Sequence, residues 1–314
     1  MANTIRANIN TSGQVLQTWL NRKVLENLEP ELRFMDLWQK PVRQDGYNVL
    51  SWTRMDQFRI TAANALLNEW VTPTEEDLRM TTISLTPKQY GFHVIISDML
   101  LDTIAIPLVS QAAKEIWNNM ARIIDEVIQA NLVAGATNVI LANDVAWVNP
   151  ATLWATDVLK AKDIWKVNAF LSTKAAKPFS GDAYAMVVHP NVMFDLEQDT
   201  AAGALVQLKK YQESTQIMKG EYGMLFGVRF IKSAFVQTIT STVTVYPSFC
   251  FGRDAYWVAT LQSLQSYITP RTASDSDPLA QRVKVWAKVA FESIILQPKA
   301  YLLVYSASSL NYAW

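Results

Sequence analysis

Apolar residues recur at helical spacing over one long stretch of the chain, residues 107–134. The stripe consists of Val109, Ala113, Ile116, Met120, Ile123, Val127 and Leu132. Pro107 suits the first turn of a helix, and Gly135 suits the position just past its end. The pattern predicts one amphipathic helix of about 42 Å, at roughly 1.5 Å per residue. Such a length suits a helix that crosses an elongated domain.

Alternating apolar and polar positions predict strands on both sides of this helix. Residues 47–58 and 78–96 are rich in β-forming residues and indicate a long two-stranded ribbon with an irregular acidic insertion at 59–77. Residues 283–296 alternate and predict a half-buried strand. A two-stranded ribbon is marginal in water alone, so this one requires contact with the body of the protein or with another subunit.

The remaining segments complete an α+β prediction. Short apolar runs predict buried strands at 183–188, 242–245, 256–259 and 300–306, and a helix follows Pro190 at 191–198. Residues 1–40 are polar at first and then only sparsely amphipathic, with Pro30 interrupting the pattern. These 40 residues predict an arm that gains stability by lying on something else.

Composition narrows the classes of protein that fit. Half of the 314 residues are hydrophobic, 18% are charged, and there are eleven tryptophans. Aromatic residues are favoured in cores and at the centres of protein interfaces, so a Trp-rich core and a subunit with large contact surfaces both remain open. The 28 basic and 28 acidic residues cancel, which disfavours a large phosphate-binding face but is compatible with enclosing DNA.

The sequence offers little chemistry. Cys250 is the only cysteine, so no intramolecular disulfide can form, and no apolar run suggests a signal peptide or a membrane span. Together these features predict a reducing, cytoplasm-like setting. His93 and His189 are the only histidines, and structural roles are favoured for both. Nucleophile-elbow, phosphate-loop, dinucleotide-binding and metal-ligand spacings are absent from the sequence. We therefore expect no enzyme, no cofactor and no metal site.

Several motifs, taken in order, carry a resemblance to a known family. The motifs are TPTEE (72–76), TPKQYGFHVIISDMLLD (86–102), RIIDEVI (122–128), HPNVMFDL (189–196), GEYGMLFGVRFIKS (220–233), FGRDAYWV (251–258), DPLAQRVKVWAKVAFESIIL (277–296) and QPKA (297–300). In this order the sequence resembles the major capsid proteins of tailed bacteriophages with the Hong Kong phage coat fold, and more narrowly the branch found in podoviruses of the N-four type. No single motif is decisive, whereas their order and spacing are fairly specific.

The resemblance implies a division of the chain. Residues 1–40 would be an N-terminal arm and residues 41–96 an extended β loop over the adjacent subunit. Residues 97–135 and 263–314 would form a peripheral domain around a long spine helix, and residues 136–262 an axial domain. The sequence lacks the long N-terminal coiled coil that serves as a built-in scaffold in some relatives. Nor can the Lys–Asn crosslinks known in some members be assigned to particular residues.

The resemblance also implies partners. These are other copies of the chain in hexamers and pentamers, a separate scaffolding protein, a portal, decoration proteins, and double-stranded DNA enclosed without sequence-specific binding, with no membrane. Assembly in the cytoplasm of a bacterial host and residence in the virion are expected. The residues predicted to contact neighbouring subunits are Trp19, Leu20, Trp52, Arg54, Phe58 and Arg59. The alternatives are an encapsulin-like nanocompartment shell protein and, less favoured, an unrelated soluble α/β enzyme.

Overall fold

The computed structural model describes residues 34, 49–56, 75, 77–103, 108–144, 149–179, 183–199, 221–240, 243–270, 273 and 277–310. Within these ranges the helices are α1 (Asp98–Thr103), α2 (Leu108–Ala134), α3 (Ala161–Thr173) and α4 (Pro190–Gln198). The strands are β1 (Leu50–Met55), β2 (Met80–Leu85), β3 (Lys88–Ser97), β4 (Val139–Leu141), β5 (Tyr184–Val188), β6 (Glu221–Leu225), β7 (Val228–Lys232), β8 (Ile239–Thr240), β9 (Thr244–Phe251), β10 (Tyr256–Thr269), β11 (Arg282–Ile295) and β12 (Tyr301–Ser306). Single 3₁₀ turns occur at 142–144, 150–152 and 298–300.

A three-stranded antiparallel sheet carries the long helix. Its strand order is β10-β11-β3, and α2 packs against one face. On β11 the residues Val283, Val285 and Val289 belong to the same apolar core as the α2 stripe, because alternate residues of a strand point to the same side. The predicted helix and the predicted alternating strand are both present, with bounds within one residue of those expected.

A mixed seven-stranded sheet forms the second layer of the fold. Its main path is β4-β12-β9-β5-β7-β6, and β8 pairs with β9. One face packs against α3 and α4, whereas the other face joins the core around α2. Strands buried on both faces need apolar residues at every position, which explains the unbroken runs at 184–188 and 301–304.

The predicted ribbon is shorter than the sequence pattern indicated. Strand β2 pairs with β1, with Leu50 opposite Leu85 and Met55 opposite Met80. The rest of the predicted second strand, β3, instead pairs with β11 along ten residues. Pro87 separates the two strands, because a proline has no N–H to donate to a ladder.

Two other segments differ from the expected division of the chain. Strand β10 was expected to end near residue 259, yet all of it, through Thr269, pairs with β11 in the three-stranded sheet. Strand β12 was expected beside the long strands, yet it pairs with β9 and with β4 in the seven-stranded sheet. The chain therefore crosses between the two layers after β9 and again after β11.

Phe34 ties the N-terminal part of the chain to the core. Its side chain is fully buried, and its ring lies edge-on to Phe249 at 5.2 Å and to Phe251 at 6.3 Å. Its carbonyl oxygen accepts a hydrogen bond from the Tyr256 hydroxyl. Among the described helices, none is long and apolar enough to span a membrane.

Candidate subunit interface

The β1–β2 hairpin is the described element with the least support from the rest of the chain. Its strands form a two-stranded sheet in which each hydrogen-bonds only to the other within the described ranges. The end near Leu50 and Leu85 is buried, whereas Met55 and Met80 at the far end are 61% and 54% exposed. The hairpin is therefore anchored at its base and projects apolar side chains outward.

An aromatic contact holds the base of the hairpin. The Trp52 ring lies 5.5 Å from the Trp257 ring, between ring centroids, at an interplanar angle of 57°. Leu50 and Leu85 complete this cluster from the hairpin, and Leu296 completes it from the end of β11. The indole N–H of Trp257 is buried and has no hydrogen-bond partner among the described residues.

Arg54 adds a polar contact to the same base. Its guanidinium Nη1 donates a hydrogen bond of 2.8 Å to the Leu296 carbonyl oxygen, and its Nε lies 3.6 Å from Asp56 Oδ1. The other carboxylate oxygen of Asp56 accepts a 2.9 Å hydrogen bond from the Thr81 hydroxyl across the hairpin. A cleft of about 120 Å³ lies between Trp52, Arg54 and the loop at Asp254. Arg54 thus has an acidic neighbour on its own strand.

The structure brings two of the predicted interface residues together. Trp52 and Arg54 lie on the same face of β1, and both contact the chain's own β10–β11 layer. These contacts occupy the inner side of the two residues and leave each partly exposed. Trp19, Leu20, Phe58 and Arg59 lie outside the described residues.

A buried carboxylate secures the point where the hairpin joins the three-stranded sheet. Glu292 is 5% exposed; its Oε2 lies 2.8 Å from the Lys88 ammonium, and its Oε1 accepts a 2.5 Å hydrogen bond from the Asn131 amide. The hydrogen bond and the negative charge of Glu292 raise the pKa of Lys88. Sequence analysis did not single out this group. Its one signal is a carboxylate within the apolar run AFESIIL, which predicts a buried charge that needs partners.

The two histidines have different surroundings. His189 caps the N-terminus of α4, because its Nδ1 accepts a hydrogen bond from the Asn191 backbone N–H at 3.2 Å, and its ring lies 4.7 Å from that of Tyr246. Burial lowers the pKa of His189. His93 lies exposed on the middle of β3. In the ranges the structure describes, no group of three or more His, Cys, Asp or Glu side chains is placed to hold a metal ion.

Comparison with known structures shows what this architecture is similar to. The capsid of Ralstonia phage GP4 matches 88% of this chain and 89% of its own, at 14% identity and a TM-score of 0.68. The capsid of cyanophage Pam1 matches 89% of this chain and 94% of its own, at 11% identity and a TM-score of 0.68. A virus-like particle from Pyrococcus furiosus matches 91% and 97%, at 11% identity and a TM-score of 0.55. At these identities the likeness shows a common fold.

The family assignment comes from sequence. Comparison with curated protein sequences gives no match. The profile of a family described as phage capsid protein, however, matches residues 80–303, which is well over half of the chain. This match does not favour the nanocompartment alternative, and it agrees with the lack of a catalytic motif in the sequence. The chain belongs to the phage capsid protein family and is a structural coat subunit, not an enzyme.

Proposed function

We propose that this chain tiles the icosahedral shell of a tailed bacteriophage by repeated contacts with copies of itself. The observation that carries the proposal is the β1–β2 hairpin. It pairs with no third strand in the described part of the chain, and it exposes Met55, Leu78 and Met80. An isolated two-stranded hairpin is marginally stable in water, so a neighbouring copy that covers these side chains would supply the missing contacts.

The finer assignment follows the resemblance described above. In the proposal the chain has the Hong Kong phage coat fold, of the kind found in podoviruses of the N-four type. Residues 1–40 are the arm, α2 is the spine helix of the peripheral domain, and the seven-stranded sheet supplies most of the axial domain. The extended loop ends at Leu85, because β3 belongs to the three-stranded sheet. The fully buried Phe34 supports an arm that leaves the body of the subunit at a fixed point.

The proposed partners follow from the same role. Copies of the chain would form hexamers and pentamers with the help of a separate scaffolding protein, joined by a portal and decoration proteins. The shell would assemble in the cytoplasm of a bacterial host and enclose double-stranded DNA. The balanced charge of the chain supports enclosure without a sequence-specific DNA site. Trp52, Arg54, Phe58 and Arg59 on the loop, and Trp19 and Leu20 on the arm, remain the proposed contact residues.

The energetic logic is that of many modest contacts. Each contact between two subunits contributes little alone, but every subunit makes several, and closure of the shell leaves few contacts unmade. Assembly should therefore depend steeply on protein concentration, and single surface substitutions should shift that dependence without unfolding the chain.

Electron microscopy of the purified full-length chain, alone and with its scaffolding protein, tests the proposal. Closed particles of uniform diameter are expected, with sedimentation of most of the protein as shells or capsomers. Deletion of residues 1–20 should reduce the yield of particles and leave the unfolding of the unassembled chain unchanged. A wild-type chain that stays monomeric at high concentration with its scaffold would overturn the proposal. Equal loss of folded protein and of shells in the deletion variant would overturn the role of the arm.

A further inference from the structure

The three-stranded sheet has one face that α2 does not cover. Residues directly opposite each other in an antiparallel ladder share a face, and Trp286 lies opposite Tyr267 on one side and His93 on the other. The Tyr267 and Trp286 rings are 4.6 Å apart, and the Trp286 indole N–H donates a 3.3 Å hydrogen bond to the Thr269 hydroxyl. These contacts hold an aromatic surface in place on the side of the sheet opposite α2.

A groove of about 390 Å³ lies on this surface beside Gly91. Gly91 keeps the groove open because it has no side chain; a Cβ there would lie 3.3 Å from the Ala287 carbonyl oxygen. Lys284 and Lys288 stand two residues before and after Trp286, so both ammonium groups are on the same face of the sheet. The described residues that line the groove include no carboxylate. The groove therefore suits an extended segment that carries both acidic and apolar side chains.

The charges of the chain's two candidate contact segments differ in sign. Residues 1–23 of the arm carry three basic side chains and no acidic ones. Residues 75–77 are Glu-Glu-Asp, and the exposed apolar residues Leu78 and Met80 follow. Like charges that meet across an interface are unfavourable, so the lysine-flanked groove disfavours the arm and favours the acidic segment.

The acidic segment of the same copy does not fill the groove. Glu75, Asp77 and Leu78 are exposed in the single chain, and the groove beside Gly91 is open. The match of charge and of apolar surface is thus available to a second copy.

We infer that the open face around Trp286 is the docking surface for residues 75–80 of a second copy of this chain. Lys284 and Lys288 face the acidic side chains, while Leu78 and Met80 cover the aromatic surface at Trp286 and Tyr267. The inference rests on the proposed shell function and names the surface that receives the hairpin of a neighbour. It makes each subunit both a donor and an acceptor of the same contact, and such a head-to-tail interface closes into rings when the rotation permits.

Site-directed disulfide crosslinking tests the pairing. Cys250 is the only native cysteine and is fully buried, and burial raises the pKa of its thiol well above the usual value, so it will not compete. A mixture of D77C chains and K288C chains, assembled and then oxidised, should give a disulfide-linked dimer, and a D77C/K288C chain should give a ladder of higher oligomers. A mixture of D77C with E115C is the matched control, since Glu115 is an exposed residue of α2, on the other side of the sheet. Equal crosslinking in the two mixtures, or none in the first, would overturn the inference.

Charge reversal provides an independent readout. K284E/K288E should raise the concentration needed for shell assembly on the order of tenfold, because the lost contact recurs at every subunit. Adding E75K/D77K to the same chain should restore assembly toward the wild-type concentration. Unchanged assembly of K284E/K288E with an unchanged unfolding midpoint, or failure of the compensating pair, would count against the docking surface. If the wild-type chain forms shells while these tests fail, the shell function stands and only this inference falls; if the wild-type chain forms no shells, the proposed function itself fails.

Discussion

Replacing Trp52 with alanine separates the contact that the chain makes with itself from a contact between subunits. Trp52 is partly buried against Trp257, with Leu50 and Leu296 in the same cluster. Truncating a fully buried aromatic residue costs about 3–5 kcal/mol, and a half-buried one about half as much. Loss of the aromatic pair adds about 0.5–1.5 kcal/mol. We therefore expect W52A to lower the free energy of unfolding of the unassembled chain by about 2–3 kcal/mol.

Urea unfolding of the dilute, unassembled chain, followed by circular dichroism, measures this change. With a slope of about 2–3 kcal/mol per molar urea, the midpoint should fall by roughly 1 M. M55A is the matched control, since Met55 lies on the same strand and is 61% exposed. Its unfolding midpoint should stay within about 0.5 kcal/mol of wild type. A W52A midpoint equal to that of M55A would refute the reasoning, because Trp52 would then not be held by Trp257.

Three further predictions concern the core and a helix cap. F34A should lower the free energy of unfolding by about 3–5 kcal/mol, because a fully buried ring in contact with two others is removed; urea denaturation checks this, and a loss under about 1 kcal/mol would contradict it. G252A should cost about 1–3 kcal/mol, because its Cβ would lie 2.9 Å from the Lys177 carbonyl oxygen, whereas G223A, with no atom within 4 Å of its Cβ, should be near neutral by the same assay. Burial lowers the pKa of His189 below its usual 6.5, so the stability that its neutral side chain contributes is present above pH 6.5 and is lost as the pH falls through the folded-state pKa. H189N, which keeps a capping acceptor and does not titrate, should remove this pH dependence from the urea midpoint, and an unchanged profile would exclude His189 as its source.

Local patterns predicted the elements whose environment is uniform along their length. The α2 stripe and the alternation of β11 face one continuous core, so their period in the sequence matches the side of the element that is buried. The runs at 184–188 and 301–304 were readable as buried strands for a related reason, because both faces of their sheet are covered. These elements depend on the chain's own core.

Pairing between strands was harder to predict. The apolar and β-forming residues at 78–96 read as one ribbon strand, but β2 and β3 belong to different sheets on either side of Pro87. Neither the pairing of β3 with β11 nor the return of β12 to β4 and β9 leaves a mark in local periodicity, since each partner lies far away in sequence. The family resemblance supplied the coat function, while the strand partners came from the fold.

The periodicity and composition of this chain were enough to indicate an α+β protein with a long amphipathic helix, and its motifs in order indicated a coat subunit. They could not assign Trp52 to Trp257, Glu292 to Lys88 and Asn131, or an open aromatic face to Trp286. Burial periodicity is a local property, written into every few residues of a helix or strand. The contacts of the hairpin base join residues about 200 positions apart, and they exist only once the long strands have paired and placed their side chains.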